Sequence, residues 1–117
     1  GAELDRGVLA FSVDGIVAAT WGPVIQLINL RDGKIQTSLE RSPQYITSIT
    51  FDPDGKRIWT SGADNAVHVW ERQSGKLLRT VAFGYPGWKE NRVVFRKGKP
   101  VLMGLGPLSV DEIPLED

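Results

Sequence analysis

The chain has 117 residues, a size that fits one small domain or a piece of a larger one. Its apolar fraction of 41% is ordinary for a globular protein, and 14 basic residues balance 14 acidic ones, so the basic excess of a protein that grips phosphate backbones is missing and nucleic acid is not an expected partner. Cysteine is absent, which excludes disulfide frameworks and thiolate metal sites and agrees with a reducing setting. No apolar run approaches the roughly 18 residues that span a bilayer, and the start lacks the charged, apolar and small-residue regions of a secretory signal. A cytoplasmic protein without membrane contact is the expectation.

Taken in order, the chain alternates short apolar, β-branched runs with turn signals and shows almost no helical pattern. Strands are predicted over 7–12, 16–21, 24–31 and 35–40, punctuated by Asp14-Gly15 and Asp32-Gly33. A second set follows over 46–52, 57–61, 66–71 and 77–83, with turns at Asp54-Gly55 and Ser74-Gly75. A third covers 92–96, 101–105 and 108–113, with its first turn at Lys97-Gly98-Lys99. Glycine beside Asp, Asn or Ser tolerates the positive φ that tight hairpins require. Corresponding turns recur about every 40 residues, the period of a four-stranded sheet repeated around a ring. Runs such as Val67-His68-Val69-Trp70 carry large groups on both faces, so their sheet has to be covered on both sides.

The second set carries a resemblance. Ile46-Thr47-Ser48-Ile49-Thr50-Phe51-Asp52-Pro53-Asp54-Gly55-Lys56, then Thr60-Ser61-Gly62-Ala63-Asp64, Val67-His68-Val69-Trp70-Glu71 and Ser74-Gly75-Lys76, closely resemble a WD40 repeat. The resemblance implies a β-propeller, in which four-stranded blades stack around a central channel. It also implies that Trp70, Asp64 and Thr60 belong to a structural hydrogen-bonded network. The family's histidine position is occupied by Ser42, where Arg41-Ser42 stands for the usual Gly-His pair, and the Trp-Asp pair reads Trp70-Glu71. The first set matches through Leu9-Ala10-Phe11-Ser12-Val13-Asp14-Gly15, but Ile28 replaces its tryptophan and Gly22 its aspartate. The third matches only through Val93-Val94-Phe95 and Lys97-Gly98-Lys99.

The expected architecture is all-β: about two and three-quarter propeller blades of four antiparallel strands, in an incomplete ring. The blades are placed at 7–42, 43–83 and, incomplete, 91–115 of one partial WD40-type domain over 1–117. The last blade lacks an outer strand, and the residues before Gly7 are too few to supply it. Exposed blade faces and an unpaired edge invite association. The chain is therefore expected to be the C-terminal part of a propeller completed by blades on another or a cleaved chain, with self-association as the second possibility.

The resemblance implies a non-catalytic protein-interaction scaffold or recognition module. The alternative is a sensor or regulatory propeller within a larger enzyme whose catalytic domain lies elsewhere. A glycan-binding or hydrolytic propeller would need carboxylate pairs in its channel, and the sequence shows no convincing pair. Other chemical signals have plainer readings. Asp52-Pro53-Asp54-Gly55 lacks the ligand spacing of a calcium loop and reads as a hairpin turn. His68, the single histidine, has no organised partners in the sequence and reads as structural or surface. Gly104-Leu105-Gly106 lacks the strand–turn–helix context of a nucleotide loop. No catalytic residue, cofactor or metal is expected. The candidate partner-binding residues are Phe83, Tyr85, Trp88, Lys89 and Arg92, on the connection between the second and third sets, where aromatic and arginine side chains suit a binding hot spot. The alternative for Phe83 and Trp88 is capping of the cleft between blades, and Trp21 and Trp59 read as packing.

Overall fold

The computed structural model describes residues 8–12, 14–21, 24–39, 46–62, 64–84 and 87–115. Among them are eleven strands and no helix: β1 (Leu9–Phe11), β2 (Ile16–Trp21), β3 (Val24–Asn29), β4 (Ile35–Ser38), β5 (Ile46–Phe51), β6 (Arg57–Gly62), β7 (Ala66–Glu71), β8 (Leu77–Ala82), β9 (Glu90–Arg96), β10 (Lys99–Leu105) and β11 (Val110–Pro114). They form three antiparallel meanders in chain order: β1–β4, β5–β8 and the three-stranded β9–β11. These are two complete blades and a third of three strands, with no closed ring. No helix among the described residues is long and apolar enough to cross a membrane.

The strands lie where β-branched residues run between turn residues, and the differences from sequence expectation have local causes. Lys97 and Gly98 adopt φ values of 50° and 76°, so Arg96 pairs directly with Lys99 across a two-residue turn and β10 starts two residues earlier than expected. Its second residue, Pro100, has no N–H to give but accepts one from Leu115 at 3.0 Å. β11 begins at Val110 rather than at 108, because Gly106 N–H reaches Ser109 O at 2.9 Å and turns the chain through a loop that leaves Leu108 98% exposed.

Alternation along the strands of the middle sheet builds two cores. Ile49, Ile58 and Trp70 face the first sheet and pack with Ile16, Ala18, Ile25, Leu27, Leu39 and Ile46. Trp59, Val67 and Val69 face the third sheet and pack with Val93, Leu102 and Leu115. β7 is buried from Ala66 to Trp70, as its apolar run required. The flanking sheets have one open face each: Leu9 (62% exposed), Phe11 and Ile35 stand on the free face of the first sheet.

Three contacts join the sheets at their ends. Thr50 Oγ1 donates to Val93 O at 2.7 Å, tying β5 to β9. The β7–β8 turn leans on β4 so closely that a Cβ on Gly75, which has φ +76°, would stand 2.6 Å from Ser38 O; only glycine fits there. Arg72 Nη2 donates to Asp14 Oδ2 at 2.7 Å between the first and second sheets. That bond, seconded by the Ser12 hydroxyl, holds the Asp14 carboxyl down to about 2 although the group is exposed.

Candidate protein-interaction surface

The middle sheet holds the residues singled out by the repeat pattern. Thr60 and Trp70 are fully buried on β6 and β7, and Trp70 Nε1–H donates to Thr60 Oγ1 at 2.9 Å. A buried indole N–H without an acceptor would cost about 1–3 kcal/mol, so this bond holds the ring in one orientation. Asp64, in the β6–β7 turn, does not join that pair. Its Oδ2 lies 2.8 Å from His68 Nε2, and His68 Nδ1 lies 3.0 Å from Thr80 Oγ1 on β8. A carboxylate only accepts, so Nε2–H donates to Asp64, and the Thr80 hydroxyl meets the other ring nitrogen. His68 is 2% exposed; it clasps the turn to the outer strand from within β7. Sequence reading found no organised partners for it, although Asp64 stands four residues away. Ser42, Arg41 and Gly22 lie outside the described residues.

Trp59 has a different acceptor. Its Nε1–H reaches Asp52 Oδ2 at 3.1 Å, and the same oxygen takes Nη2 of Arg57 at 2.9 Å. Asp52, read from sequence only as a turn residue, is thus a buried acceptor at 7% exposure. The next carboxylate, Asp54, accepts Lys56 N–H at 2.9 Å, and this bond lowers its pKa. Both carboxylates of the calcium-like stretch therefore serve the hairpin, and among the described residues no cluster of His, Cys, Asp and Glu could hold a metal ion.

The connection between the second and third sheets brings together some of the residues expected to bind a partner. Phe83 and Trp88 stack with ring centroids 5.6 Å apart and planes at 25°. Both are half-buried at the edge of the second core. Trp88 lies flat on β10: a Cβ on Gly104 would stand 2.0 Å from its Cδ2. Its Nε1–H donates to Asp111 Oδ2 at 2.8 Å on β11. Lys89 is exposed while its backbone N–H is held by Leu105 O at 2.8 Å. Arg92 is exposed and, by alternation with buried Val93, on the free face of the third sheet, apart from the Phe83–Trp88 stack. Tyr85 lies outside the described residues, as does the side chain of Trp21. Asp111 and Gly104 were not anticipated; a glycine within a strand was the one available signal of a close approach.

No family model matches the chain. Curated relatives do. An uncharacterized WD repeat-containing protein of Synechocystis sp. is 34% identical over 76 residues, 63% of this chain and 22% of the relative. The small ribosomal subunit protein RACK1y of Oryza sativa is 30% identical over 63 residues, 54% of this chain and 19% of the relative. The chain thus spans about a fifth of the length of these relatives. Among solved structures, the WD40 β-propeller domain of Doa1 superposes with a TM-score of 0.71 at 20% identity, over 93% of this chain and 36% of that one. The chain is thus similar in sequence to WD-repeat proteins over part of their length, and its sheets stack as in part of a WD40 β-propeller.

Proposed function

We propose that this chain is part of a cytoplasmic, non-catalytic protein-interaction scaffold, in which blades at 7–42, 43–83 and 91–115 are completed by further blades on another chain or segment. One observation carries this reading. The middle sheet is covered on both faces, whereas the same kind of sheet on either side presents an apolar face to solvent, with Leu9, Phe11 and Ile35 at one end and Leu105 and Val110 at the other. Open faces of this kind are characteristic of surfaces that a partner covers. The relatives are larger WD-repeat proteins, which supports a longer propeller around these sheets. In this reading Thr60, Asp64 and Trp70 are structural, while Tyr85, Lys89 and Arg92 meet partners and Phe83 and Trp88 hold that connection in shape. The test is light scattering on the purified protein with mass spectrometry of every chain present. A mass well above 12.9 kDa, with further blades or partner proteins in the assembly, is expected. A well-folded monomer of this chain alone would overturn the proposal, and a catalytic domain in the same assembly would turn it toward a regulatory propeller.

A further inference from the structure

We propose that the cleft between the first and second sheets, at the end where Arg72 bridges them, binds an extended acidic peptide. The inference rests on the scaffold reading and names a partner class for it. The cleft has a volume of about 450 Å³ and a floor at Leu27. Its origin is local. β4 is only four residues long and bulged, since Leu27 pairs with Thr37 and Ile28 with Ile35, which leaves Gln36 outside the ladder and on the cleft wall. The β7–β8 turn touches β4 at Gly75 and stands over the gap, with Arg72 and Gln73 lining it.

The lining has more donors than acceptors. Arg72 directs one N–H to Gly55 O and one to Asp14, and the rest of its fork remains. Among the described residues no carboxylate stands within ion-pair distance of the Lys56 ammonium, which lines the same cleft and whose charge also reaches Asp54. Gln36 and Gln73 add amide groups, and the carboxylate in the lining, Glu71, already accepts the Ser74 hydroxyl. Such a wall suits carboxylate side chains and backbone carbonyls of an extended segment, with the apolar floor taking its aliphatic carbons. A nucleic-acid backbone fits less well, because the chain has no net positive charge. Both walls belong to sheets already packed against each other, so further blades on the open faces would leave this cleft uncovered.

The test titrates the whole protein with a fluorescein-labelled peptide of alternating Glu and Ala, followed by fluorescence anisotropy. Saturable binding is expected, with no comparable binding of the Lys-for-Glu peptide and about tenfold weaker binding by Lys56→Glu. Lys99→Glu, exposed on β10 of the third sheet, should bind as the parent does. Unchanged melting of Lys56→Glu would show that its loss is not unfolding, and Gln73→Ala gives a second variant, expected to weaken binding severalfold. Absence of saturable binding, equal binding of the two peptides, full binding by both variants, or tighter binding of a DNA duplex would each overturn the proposal. Failed peptide binding in an assembly that still holds partner proteins would overturn the cleft alone. Selective peptide binding by a monomer would support the cleft while overturning the completed-propeller reading.

Discussion

On the side of the middle sheet that faces β1–β4, Trp70 sits among isoleucines and leucines and gives its N–H to a neutral hydroxyl on the neighbouring strand. On the opposite side, Trp59 gives its N–H to a carboxylate; the guanidinium carbons of Arg57 and Arg79 lie 5.3 and 5.8 Å from its ring centroid, and Phe95 meets it edge-on. The first core is mostly aliphatic around Trp70, whose indole N–H is held by Thr60. The second is aromatic, ringed by charge, and closed at one end by Phe83 and Trp88. One sheet can thus be covered by two different chemistries, provided each buried donor finds an acceptor.

The sharpest way to break this comparison is Trp70→Ala. Truncating a fully buried indole should cost about 3–5 kcal/mol, read as a fall in the thermal or urea midpoint. Unchanged melting would mean that the first core does not depend on this ring. His68→Ala comes next: it leaves Asp64 and Thr80 without their partner and opens a small void, with an expected loss of about 2–3 kcal/mol. His68→Gln should recover part of it. For the second core, Gly104→Ala places a methyl group inside the Trp88 ring position, so Trp88 has to move; about 1–3 kcal/mol of destabilisation and a red-shifted tryptophan emission are expected. An unshifted spectrum would contradict the stacking of Trp88 on β10.

The smallest effect concerns the bridge beside the first core. Folding lowers the Asp14 pKa to about 2, so between that value and its unfolded value near 4 the unfolded chain binds the proton more readily. The stabilisation is complete above about pH 4 and is lost as pH falls toward 2. Urea midpoints measured from pH 5 downward should decline less steeply for Asp14→Asn than for the parent. Parallel declines would show that Arg72 does not hold this carboxylate in solution.

Much of the fold was legible because local chemistry writes it into the chain. Turn glycines mark the hairpins, and the β-branched runs between them mark the strands. Far less of the candidate surface could be read. Trp88 was visible as an aromatic on a loop, but its seat on Gly104 and its bond to Asp111 join residues 16 and 23 positions away that meet only when β10 and β11 pair beside the connection. Likewise the bond between His68 and Thr80 is hidden in a linear reading, since Thr80 reaches the ring only through the β7–β8 register. Asp52 was plain as a turn former; its second task, accepting from Trp59, depends on which face of β6 the indole takes.

The sequence by itself determined an all-β chain, the period of its repeats and the order of strands within each sheet, because hairpin turns and alternation act between neighbours. Only the tertiary structure decided which buried donor meets which acceptor, that Trp88 is seated against β10, and that a donor-rich cleft opens beside Arg72. Those outcomes depend on distances between separate sheets, set by how the faces pack and by where a bulge or a missing Cβ lets two backbones approach.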